Sequence, residues 1–140
     1  MKNQVLSIEQ MRKLKELGVD TSKASMAVYN IYAGKQKEYD ILAANGAFAE
    51  KQEHDRFGYG IHNIVAFDKK PVFTLQDIIE LLPNTFDGYY LNIYRSSLAY
   101  CFEYENISDK DWKLEKGRNP LEAAYNMLIW IIENGYLKTK

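Results

Sequence analysis

The sequence predicts a single α+β domain over residues 1–140, an antiparallel sheet of four to five strands packed with about three helices, in the order α-β-β-(β)-α-β-β-α. Three observations lead there. Two segments, FTLQDIIELLP and NPLEAAYNMLIWIIENGYL, place apolar residues at helical spacing behind capping residues. Between and before them run tyrosine-rich stretches that alternate as strands do. Eleven tyrosines and six phenylalanines suit a pleated surface, where aromatic rings pack well. Hairpins separated by helices make a sheet covered by helices the natural layering.

The first helix opens at Ser7, an N-cap whose capping-box partner is Gln10, with Leu6 and Met11 placed to form a staple and Gly18 as the stop. Ile8, Met11, Leu14 and Leu17 recur every third residue, so its apolar seam drifts around the helix and its packing is oblique or partial. From Ala24 to Ala44, SMAVYNIYA and KEYDILAA flank the polar turn Gly34-Lys35-Gln36-Lys37, a hairpin pattern. Asn45 to Gly60 reads either as a short helix or as a glycine-flanked loop. A third strand is expected from Ile61 to Phe67, interrupted by Asp68-Lys69-Lys70-Pro71.

Thr74 caps the second helix, Asp77 stands at the capping-box position, and Pro83 ends it. Tyr89 to Tyr94 and Leu98 to Tyr104 alternate around Arg95-Ser96-Ser97. Leu91 and Ile93 point one way, and Tyr90, Asn92 and Tyr94 the other. Ile107 to Arg118 is charged and reads as a loop pinned by Trp112 and Leu114. Asn119 then caps the last helix, Pro120 occupies its first turn and Gly135 follows its end. Its main face is Leu121, Ala124, Tyr125, Leu128 and Ile132.

Bulk composition narrows the function classes. Apolar residues at 46% and charged residues at 26% are those of an ordinary globular chain. A net charge of −1, from 18 basic and 19 acidic residues, supplies no whole-chain field for nucleic acid or anionic lipid. The N-terminal MKNQVLSIEQ lacks a signal-peptide core, and no run is long and apolar enough for a membrane span, so the expected location is the cytoplasm. Cys101, the single cysteine, has no partner for an internal disulfide and fits a reducing compartment.

Two surfaces are candidates for recognition. In the last helix, at about 100° per residue, Trp130 lies opposite Leu121 and shares its face with Ala123 and Met127. That second stripe either wedges the helix between two layers or forms an interface with a protein partner or a second copy, where tryptophan is a favoured anchor. On the hairpin, Tyr90 and Tyr94 either pack across strands or anchor a partner, and they are also the residues that a single-stranded nucleic acid would stack on. The lack of an arginine-rich stripe disfavours nucleic acid.

Chemistry-bearing patterns are sparse. His54 and His62, with Glu50, Glu53 and Asp55, suggest a small enzyme or metal protein as a further alternative, but HExxH and a second cysteine are both missing. Gly58-Tyr59-Gly60 reads as a bend, Cys101 as a structural residue, and Arg12, Lys13 and Lys15, interleaved with Glu9 and Glu16, as a solvated helix face. No catalytic, metal or cofactor residue is assigned.

The segments VLSIEQMRKLKELGVDTSKASM, FTLQDIIELLP and NPLEAAYNMLIWIIENGYL together resemble a group of short uncharacterised proteins from gut Bacteroidales, some of them prophage- or mobile-element-linked. The likeness is weakest from Ala27 to Phe67. These segments are caps and helix faces, so the resemblance transfers no site residue; it implies an accessory cytoplasmic protein of unknown role.

Overall fold

The computed structural model describes residues 4–33, 37–47 and 66–137, which form three α-helices and two antiparallel sheets. The α+β class stands. The strands divide between two sheets instead of sharing one.

Helix α1 spans Ile8–Glu16. Its capping box is closed, with the Gln10 amide donating to Ser7 Oγ at 3.1 Å and the Ser7 amide donating to Gln10 Oε1 at 2.9 Å. Met11 and Leu14 are buried, while Ile8 and Leu17 stay half-exposed, as an oblique seam requires. The chain entering α1 is fastened to the chain entering α2: the Leu6 amide donates to the Phe73 carbonyl, and the Phe73 amide to Met11 Sδ at 3.2 Å.

The first sheet has β1 (Met26–Ala33) at its centre, flanked by β2 (Lys37–Ala44) and β3 (Ala66–Val72). Val28 faces Leu42 on one side and Lys70 on the other. Met26, Val28, Leu42 and Val72 pack toward the main core, while Ala27, Tyr29 and Ile31 form a second buried cluster on the opposite face. The third strand was expected at Ile61–Phe67; it runs Ala66–Val72 and includes Asp68-Lys69-Lys70-Pro71. Among the described residues only β1 pairs with it, and an edge strand accommodates a proline and exposed charges that a central strand could not. Ile61 to Val65, the turn residues Gly34 to Gln36, and all of the helix-or-loop segment beyond Ala47 lie outside the described residues.

Helix α2 (Leu75–Leu81) is short, and side chains hold both its start and its neighbour. Asp77 Oδ2 accepts from the Thr74 amide at 2.9 Å, and from the amide and hydroxyl of Ser25 at 3.0 and 2.8 Å. One carboxylate thus completes the helix cap and ties α2 to the start of β1.

The second sheet is a meander of β4 (Thr85–Phe86), β5 (Tyr89–Arg95), β6 (Tyr100–Asn106) and β7 (Asp111–Gly117). Strand β6 starts at Tyr100, later than the alternation suggested, because Ser96 and Ala99 close the turn through Ser96 N–H to Ala99 O at 2.8 Å and leave Leu98 exposed. The stretch Ile107 to Arg118, read from sequence as a loop, contains β7. Trp112 does not pin it from within, since it is 61% exposed. Its alternation is inverted for a half-buried strand. Trp112 and Leu114 sit on the outer face, while Lys113 and Glu115 point toward α3 and pair at 3.0 Å. Inward charges on an edge strand are a recognised protection against edge-to-edge pairing.

Helix α3 (Pro120–Glu133) lies on β6 and β7 and also packs against α2. Leu121, Ala123, Ala124, Met127, Leu128 and Ile131 are all buried. With Leu14, Ile78, Phe102 and Tyr104 they belong to one core shared by α1, α2, α3 and the second sheet.

Candidate functional site

Of the two surfaces suggested by sequence, the α3 stripe packs inward. Ala123 and Met127 have no exposed surface, because the second sheet and α2 enclose the helix. Trp130 is half-buried, 6.3 Å from Phe86 and 5.7 Å from Tyr136 between ring centroids, with Lys113 Nζ over its ring at 5.5 Å. The stripe has its partners within the chain.

The hairpin tyrosines are open to solvent. Tyr90 is 55% and Tyr94 43% exposed, on the face of the second sheet turned away from α3. Register sets their neighbours: Tyr90 stands opposite Glu105, which stands opposite Trp112. In the next outward row Asn92 faces Glu103 and Glu103 faces Leu114, and beyond it Tyr94, Cys101 and Lys116 align. Strands place side chains on alternate faces, so these rows form one contiguous surface. Tyr90 and Tyr94 lie on one flank and Trp112, Leu114 and Lys116 on the other, with Glu103 and Glu105 on the central strand.

Hydrogen bonding fixes part of this surface. Asn92 Nδ2 donates to Glu105 Oε1 at 3.1 Å, which orients the carboxylate across the sheet. The Tyr94 phenol is held above its ordinary pKa, first by partial desolvation and then by the Glu103 carboxylate. Cys101 is buried beside it, as expected of a structural thiol.

On the inner face the same strands serve packing. The Tyr89 hydroxyl donates to Asp111 Oδ2 at 2.5 Å, a bond that raises the phenol pKa to about 12. Buried Tyr104 donates to the Pro83 carbonyl at 2.7 Å. Between α1 and α3 lies an open groove of about 690 Å³, lined by Gln10 and Lys13 from α1, by Tyr125, Trp130 and Glu133 from α3, and by Glu115 from β7. Ser7, on its rim, already uses its hydroxyl in the α1 cap. The groove can offer hydrogen bonds and charge, but among the described residues none that lines it is a histidine or cysteine.

No family model matches the chain, and comparison with curated proteins and with solved structures likewise finds no match. The surface must be read from its own chemistry.

Among the described residues there is no group of three His, Cys, Asp or Glu side chains able to hold a metal ion. His54 and His62, with Glu50, Glu53 and Asp55, and the Gly58-Tyr59-Gly60 bend lie outside those residues. No helix among the described residues is long and apolar enough to cross a membrane. Sequence reasoning missed Trp112, Glu103 and Glu105 as companions of Tyr90 and Tyr94. The usable signal was the two-residue alternation of Trp112, Leu114 and Lys116, hidden by charged residues at the intervening positions.

Proposed function

We propose that this is a non-enzymatic accessory protein of the cytoplasm that works by protein–protein interaction, with the outer face of the second sheet as its docking surface. One observation carries the reading: Tyr90, Tyr94 and Trp112 lie exposed on a single sheet face, and exposed aromatic clusters of this kind are typical recognition anchors. A second copy of the chain is one partner open to it. Stacking of single-stranded nucleic acid on the tyrosines is the competing use, and Glu103 and Glu105 between the two flanks oppose it by repelling phosphates.

The test compares wild type with the double variant Tyr90→Ala/Trp112→Ala, first by sedimentation and then as baits in the source cell. Self-association, or a captured protein, that is lost in the variant at unchanged thermal stability supports the reading. Identical assembly and identical captured proteins for the two forms would remove it. Salt-sensitive binding of an oligonucleotide lost in the same variant would transfer the surface to nucleic acid.

A further inference from the structure

We infer that the row Tyr90–Glu105–Trp112 is a cation-recognition site that accepts an arginine side chain from a basic segment of the partner protein. The inference rests on the docking surface proposed above and gives the partner its chemistry.

The geometry comes from register. Tyr90 and Trp112 are two strands apart on one face, so their backbones are separated by two strand spacings, roughly 10 Å, with Glu105 between them. A cation held within about 6 Å of an aromatic centroid is attracted by the ring face. A planar guanidinium entering this row therefore meets an indole, a phenol ring and a carboxylate together. Arginine suits the arrangement better than lysine, since its plane stacks on rings and its fork matches a carboxylate.

Within this row Glu105 has no cation opposite it; Lys116, on the same face, stands two rows away beside Cys101. Among the described residues, neither Glu105 nor Glu103 forms an ion pair, and Asn92 occupies only one Glu105 oxygen. Both glutamates are half-buried among aromatic and aliphatic neighbours, where a carboxylate benefits most from a cation.

The opposite face of the same strands shows the completed version of this chemistry. There Lys113 lies over the Trp130 ring at 5.5 Å while pairing with Glu115 at 3.0 Å. Tryptophan, glutamate and cation are all supplied by the chain on the inner side. On the outer side the Tyr90–Glu105–Trp112 row holds the tryptophan and the glutamate with no cation in the row among the described residues, and the cation is left to the partner.

Titration of the folded chain with an end-blocked hexa-arginine peptide, followed by the indole N–H signal of Trp112, tests this. The signal is assigned through Trp112→Phe. Saturable shifts of that signal, weakened about tenfold by Glu105→Gln and unaffected by the groove variant Glu133→Gln, are expected. Hexa-lysine should bind more weakly, and hexa-glutamate and oligothymidylate should leave the signal unmoved. Glu105→Gln keeps the size of the side chain, so its effect is separable from misfolding.

If Glu105→Gln leaves arginine binding intact, if Glu133→Gln weakens it equally, or if oligothymidylate binds instead, the site is not an arginine site. If Tyr90→Ala/Trp112→Ala abolishes assembly while hexa-arginine fails to bind, the cation assignment falls and the docking surface survives. If neither shows an effect, both fall.

Discussion

Gly117, at the end of β7, lets the strand pass directly against the first turn of α3: a β-carbon there would stand 2.5 Å from the Ala123 amide nitrogen. The obstructing atoms are backbone and the first atoms of side chains, with Glu122 Cβ at 2.9 Å and Ala123 Cα at 3.0 Å, so rotamer change cannot relieve them. The same turn is anchored by Asn119, whose Oδ1 accepts from the Glu122 amide at 2.9 Å.

Gly117→Ala is therefore expected to push α3 off the sheet and to cost about 2–3 kcal/mol in urea unfolding, the upper part of the range for overpacked sites. A loss below about 0.5 kcal/mol, the scale of an ordinary surface change, would show that this contact is not tight.

Tyr104 gives a pH-dependent prediction. Burial holds its phenol well above the ordinary value of 10.0 in the folded chain. Below that ordinary value both folded and unfolded forms keep the proton, and the stabilisation is fully present. Above it the unfolded chain releases the proton first while the folded chain retains it, so stability falls as pH rises toward the folded value. Tyr104→Phe loses the bond to the Pro83 carbonyl and should cost about 1 kcal/mol at neutral pH. Its stability should then decline less steeply than wild type above about pH 10. Parallel declines in denaturant midpoints across that window would contradict the assignment.

Trp130→Ala should lower stability by about 2 kcal/mol, less than a fully buried tryptophan would, because the ring is half-exposed. It removes the packing on Phe86 and Tyr136 and the contact with Lys113, so it should leave the oligomeric state unchanged. A shift in native mass on this substitution would return α3 to the list of interfaces.

Caps were readable without a structure because they depend on atoms close in sequence. Ser7 with Gln10, Thr74 with Asp77 and Asn119 with Glu122 each close within one helical turn, and each is present. The hairpin alternation was equally local, and it correctly put Tyr90 and Tyr94 on a common face. The main face of α3 was placed only in part: Leu121, Ala124 and Leu128 are buried, but Tyr125 and Ile132 are half-buried and Ala123, Met127 and Ile131 take the inner positions. Strand β7 escaped because its segment is charged and so reads as a loop, whereas Lys113 and Glu115 occupy the inward positions of the strand and satisfy each other there. The end of β3 escaped because Pro71 signals a break unless the strand is known to be an edge.

The amino-acid order by itself determined the α+β class, the helix starts and the two-faced character of β5, since helical and strand periodicity act over a few residues. Tertiary structure decided everything that depends on which layer meets which. It divided the strands into two sheets, and it enclosed Ala123 and Met127 while leaving Trp130 a half-buried partner for Lys113. It also set Trp112 in line with Glu105 and Tyr90 through the pairing of β5, β6 and β7. An apolar stripe on a helix has the same sequence signature whether it meets a core or a partner. Only the position of the neighbouring layers tells the two apart.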